Sequence, residues 1–176
     1  MRPSLSHTTG RKMPETFTGT TPLGFIGKAE AYRRGAQLLA RDLKSPGGWA
    51  GDPTRYLYYH CIELYLKAAL IAAGRNETQL REIGHGFSKL VKACNRAGLG
   101  LREPDDLAVI KMIDADRNYI RTRYHYVGAF RTVTIQALDG TAYEVALLTV
   151  EMVRRSGKRL RAPSPALPIE FRFQVG

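Results

Sequence analysis

Cysteine occurs twice in this chain, tryptophan once and histidine four times, and no long apolar run goes uninterrupted. Each scarcity excludes something. Cys61 and Cys94 both fall in amphipathic runs where a small apolar residue would serve equally well, so a disulfide scaffold is excluded and a reduced compartment is expected. The greasiest stretch, Tyr56 to Ala73, is broken by His60, Glu63 and Lys67, which are costly in a bilayer, so no membrane association is expected. The first twelve residues carry charge but no apolar centre, so no secretory signal and a cytoplasmic location are expected. Residue type alone would allow His60, Cys61, Glu63 and His85 to meet at a metal, but paired Cys or His-Glu-x-x-His spacing is lacking. The expectation is no metal and no cofactor.

Acids are also scarce, with 16 Asp and Glu against 27 Lys and Arg, a net charge of +11. Such a field concentrates polyanions, so nucleic acid, free nucleotide or an acidic protein are natural partners. A basic chain that is merely soluble has the same balance. At 176 residues there is enough chain for one well-buried core and too little for two domains.

What is present is helical periodicity. Residues 1–21, rich in Thr, Ser, Gly and Pro, are expected to be a flexible arm. A helical domain over 22–162 and an extended tail over 163–176 follow. A first helix begins near Pro22, places Tyr32, Ala36 and Leu39 three or four apart, and ends near Lys44. The second, about 54 to 73, is apolar almost all round, the mark of a central helix, and its polar positions His60, Glu63 and Lys67 form one narrow stripe.

A turn of helix is possible around Thr78 to Ile83, and a third full helix covers about Phe87 to Ala97. A fourth starts at Pro104 with Asp105 and Asp106 and runs to about Tyr124. Val133, Ile135 and Ala137 alternate with polar residues, predicting an extended segment over 130–137 before a last helix from Ala142 to Leu160. The tail residues Ile169, Phe171, Phe173 and Val175 alternate likewise over 169–175. Such an apolar strand face needs a partner, the 130s segment or a second copy, and a homodimer is expected. The fold class is all-α, an up-and-down bundle of four to five helices, and no internal repeat suggests a solenoid.

Three stretches carry a resemblance: Tyr59-His60-Cys61-Ile62-Glu63-Leu64-Tyr65-Leu66-Lys67-Ala68-Ala69-Leu70, Gly84-His85-Gly86-Phe87-Ser88-Lys89-Leu90, and Tyr119-Ile120-Arg121-Thr122-Arg123-Tyr124. In this order they resemble the HEPN family of prokaryotic helical-bundle proteins, over roughly residues 25 to 160. The resemblance implies a helical bundle, frequently a homodimer, found beside nucleotidyltransferases and in toxin-antitoxin or defence systems. Some branches are metal-independent ribonucleases, with Arg followed by His after four to six intervening residues. Arg can hold the scissile phosphate while His moves a proton.

Here Arg117 is followed by Thr122, Arg123 and Tyr124 at the accepted places, and His125 arrives one residue late; Arg121 precedes His125 by only three intervening residues. Arg117, Arg121 and His125 are the candidate catalytic set, and their irregular spacing leads us to expect binding without cleavage. The candidate nucleotide- or RNA-binding residues are His60, Glu63, Lys67, His85, Arg121, Arg123 and Tyr124. Arg117, Arg121, Arg123 and Arg131 alternate with Tyr119, Tyr124, Tyr126 and Phe130, pairing phosphate-gripping cations with rings that stack on bases. Two structural readings stand beside these: a self-satisfied polar stripe on the second helix, and arginines paired with Asp114 and Asp116. An interaction protein is a third functional class. Gly24 to Lys28 precedes Ala29, which excludes a P-loop.

Overall fold

Thr21 starts the first helix by a local bond: its hydroxyl accepts the Gly24 N–H at 3.1 Å, and Pro22 fills the first helical position, where no N–H is needed. The computed structural model describes residues 21–43, 51–115, 122, 131–157 and 164–169. Among these the fold is all-helical, with six helices: α1 (Pro22–Asp42), α2 (Asp52–Ala72), α3 (Glu77–Ile83), α4 (Phe87–Arg96), α5 (Pro104–Ala115) and α6 (Ile135–Arg155).

Helix α2 is the hub. Fourteen of its residues are buried, from Thr54 to Ile71, as an apolar circumference requires. Helix α1 packs against it through small residues, Ala29, Ala36 and Ala40, and runs antiparallel, since Glu30 meets Tyr65 while Tyr32 meets His60. Helices α4 and α6 run in the same direction as α2. Phe87 meets Tyr59 and the Cys94 thiol donates to the Leu66 carbonyl, while Arg55 reaches the Val133 carbonyl and Thr149 that of Tyr65. Helix α5 closes the far side against α4 and α6, tied to α6 by Thr141 donating to Asp106 at 2.6 Å.

Local chemistry accounts for most boundaries. Gly74 ends α2 at φ +88°, which lets the Arg75 N–H return to the Leu70 carbonyl at 3.0 Å. Asn76 and Gln79 cap α3 reciprocally, so the possible turn is a full short helix. Helix α4 has no side-chain cap of its own at Gly86. Asp114 of α5 supplies it, accepting the Phe87 and Ser88 N–H groups at 2.9 and 2.6 Å.

Three expectations are corrected. The last helix begins at Ile135, not Ala142: Thr134 caps it, and Ile135, Leu138, Asp139, Ala142, Val145 and Ala146 form a buried row at helical spacing. The alternation over 133–137 therefore marks a helix start. The same helix ends at Arg155, where Gly157 at φ +72° follows the cap. On α1, Leu39 is exposed, and the buried face instead carries Glu30, Arg33 and Gln37 among its alanines. Because 135–137 is helical it offers no strand edge to the tail, and Ser164–Ile169 lies against α1 and α6 without forming a strand. The remainder of the expected strand, 170–175, and the fourth helix beyond Ala115 as far as Tyr124 lie outside the described residues, except for Thr122.

Candidate functional site

His60, Glu63 and Lys67 stand at i, i+3 and i+7 on α2, one above another, with His60 and Lys67 partly exposed and Glu63 buried between them. The turn between α3 and α4 brings His85 to the same stripe. Glu63 is the common partner. Its Oε1 takes Lys67 Nζ at 2.5 Å and His85 Nδ1 at 2.7 Å, while Oε2 faces His60 Nδ1 at 3.8 Å, beyond hydrogen-bond length. Four residues singled out by spacing and resemblance are thus brought together.

The electrostatics follow from burial and pairing. The Glu63 side chain is 2% exposed. Burial alone pushes its pKa up, but the nearby His60 ring, the hydrogen bonds from Lys67 and His85 and the charge of Lys67 outweigh it and hold the carboxyl at about 2. His60 is fixed by rings, Tyr32 edge-on at 4.4 Å and Tyr56 stacked at 6.0 Å. Lys67 and His85 form part of the wall of an open cleft of about 460 Å³, completed by Phe25, Leu80, Gly84, Glu77 and Arg81. Arg81 is 82% exposed and meets Glu77 at 3.6 Å, a surface pair that leaves its guanidinium available to an anion. The cleft therefore offers the Lys67 ammonium, the His85 ring and a loosely held guanidinium next to an apolar and aromatic wall.

Phe25 and Arg81 are the residues that spacing did not single out. Phe25 sits in the first turn of α1 and Arg81 on the outer face of α3, and only tertiary packing brings them to the α2 stripe. Arg117, Arg121, Arg123, Tyr124 and His125 lie outside the described residues. Asp114, a sequence candidate for pairing with those arginines, has both carboxylate oxygens on the α4 amides. Among the described residues no cluster of three or more His, Cys, Asp or Glu side chains could hold a metal. Cys61 faces the Tyr58 carbonyl, and burial pushes its thiol well above the ordinary range. No helix among them is long and apolar enough to cross a membrane. The chain matches no family model, no curated protein and no solved structure.

Proposed function

We propose that the chain is an HEPN-like module that binds nucleotide or RNA through the α2–α3 cleft without cleaving it. The observation that carries this reading is the sharing of Glu63 by Lys67 and His85 on the wall of a cleft that also holds Phe25 and Arg81. Glu63 positions the Lys67 and His85 side chains, Arg81 adds a charge that is only loosely held, and Phe25 offers a ring for a base. The net charge of +11 supplies long-range attraction. A homodimer, a nucleotidyltransferase partner and a place in a toxin-antitoxin or defence system belong to the same proposal; all three rest on the resemblance, and the homodimer also on the apolar alternation of the tail sequence.

A labelled RNA oligonucleotide should bind the full chain at low salt and weaken steeply as salt rises. Arg81→Ala should cost roughly tenfold, about 1.4 kcal/mol, while Lys92→Ala on α4 costs much less. Equal losses at the two positions would reduce binding to unspecific charge and remove the cleft from the account. The second reading, a metal-independent ribonuclease built on Arg117, Arg121 and His125, has the sequence of the 117–131 stretch in its favour. RNA cleavage that persists in chelator and disappears in His125→Ala would replace binding by catalysis.

A further inference from the structure

A second built polar site lies between α1 and α6. Glu30, Arg33 and Gln37 make one stripe along that helix, and Asp139 faces them from the first turns of α6. Arg33 Nη2 meets Asp139 Oδ1 at 3.1 Å with side-chain exposures of 0% and 1%. An ion pair so far from solvent is weak evidence for stability, since apolar residues of similar volume often do as well. What these side chains do besides is hold a piece of backbone. Arg33 Nη1 donates to the Ala166 carbonyl, and the Ala166 N–H donates to Glu30 Oε1 at 3.0 Å. Gln37 Nε2 donates to the Leu167 carbonyl at 3.1 Å, and the Ile169 N–H donates to Asp139 Oδ2 at 2.8 Å.

All four of these bonds go to main-chain groups of Ser164–Ile169. Pro165 and Pro168 have no N–H, and the amides that directly follow them, those of Ala166 and Ile169, meet the two carboxylates. Leu167 is 73% exposed, so its side chain contributes little. The furrow's side chains are also bonded to one another, independently of the segment. Arg33 and Gln37 keep Asp139, and Glu30 keeps the Tyr65 hydroxyl at 2.5 Å and Arg34 at 3.3 Å. Two features show that the fit is incomplete. A cavity of about 550 Å³ lies between Ser164, Pro165 and Leu167 and the Tyr143, Leu147 and Glu151 face of α6. Arg33 Nε is buried and has no hydrogen-bond partner among the described residues.

We propose that the α1–α6 furrow is a peptide-recognition site, which takes an extended, proline-flanked segment of a partner protein by its main chain, and that Ser164–Ile169 is the intramolecular occupant such a segment displaces. The bonding pattern defines the ligand: N–H and carbonyl at one residue, carbonyl at the next, N–H two further on. A side chain larger than Leu167 at the second place has the cavity to enter. This site is separate from the α2–α3 cleft and does not depend on nucleotide binding.

The test uses the full chain and a blocked, fluorescent peptide of the sequence Ser164–Ile169, read by anisotropy. Ala166→Pro in the chain removes the N–H given to Glu30 and leaves the furrow untouched, so the peptide should bind this variant roughly tenfold more tightly than the unaltered chain. The same replacement in the peptide should weaken its binding by roughly as much. Should Ala166→Pro fail to fold, hydrogen exchange of the Ile169 amide in the unaltered chain takes its place, and saturating peptide should speed it. A dimer that dissociates on adding peptide would support exchange and identify the partner as a second copy. No saturable binding to either chain, binding indifferent to proline in the peptide, or Ile169 exchange unmoved by saturating peptide would overturn the proposal.

Discussion

Glu63 takes Lys67 and His85 on a single oxygen, and that sharing fixes how the molecule responds to acid. Its pKa falls from 4.5 to about 2 on folding, so the folded state binds the proton less readily than the unfolded chain. The stability it contributes is complete above the unfolded value and is lost as pH falls from about 4.5 through about 2. Over that window the loss should be on the order of 3 kcal/mol. Glu30 is shifted in the same direction: burial pushes it up, but bonds from Tyr65, the Ala166 N–H and Arg34, with the charge of Arg33, more than reverse this. The two are separated by substitution. Urea unfolding of Glu63→Gln should give a lower stability at neutral pH and a shallower decline into acid. An unchanged slope would mean that Glu63 is not the titrating group.

At the same scale, the legible and illegible residues differ in a simple way. His60, Glu63 and Lys67 were readable because three- and four-residue spacing on one helix is itself a statement of proximity. His85 needed the motif at the α3–α4 turn. Arg33 and Asp139 are separated by 106 residues, and nothing local distinguishes a buried arginine from a solvated one. Their pairing is visible only once α1 and α6 are packed together on α2.

At the scale of elements, helix starts were most legible where the cap is local. Pro22 marked the start of α1 in this way, whereas the Asn76–Gln79 cap went unread and only a possible turn from Thr78 was expected where α3 forms. Helix α6 was misjudged because two periods overlap there: Val133, Ile135 and Ala137 alternate, yet Ile135, Leu138 and Ala142 also keep helical spacing, and burial against α2 selects the second. Helix α4 depends on a distant partner for its start. Asp114→Ala should remove two amide acceptors at once and cost about 1 kcal/mol, seen as a lower denaturation midpoint with an unchanged slope. If the midpoint stays where it was, α4 does not rely on this cap.

For the whole molecule, the arrangement places two built polar sites in one bundle, one opening between α2 and α3 and one filled by the chain's own segment against α1 and α6. The all-helical class followed from periodicity, and the central position of α2 from its apolar circumference. The way the chain returns, with α4 and α6 parallel to α2, did not, because direction depends on which faces meet. The central claim is that the α2–α3 cleft receives nucleotide or RNA. Its most direct test is photocrosslinking of the full chain to an RNA oligonucleotide carrying 4-thiouridine, followed by mapping of the attached peptides. The account predicts crosslinks on the peptides bearing Phe25, Arg81 and His85, competed away by unlabelled RNA; crosslinks confined to peptides outside that cleft would contradict it.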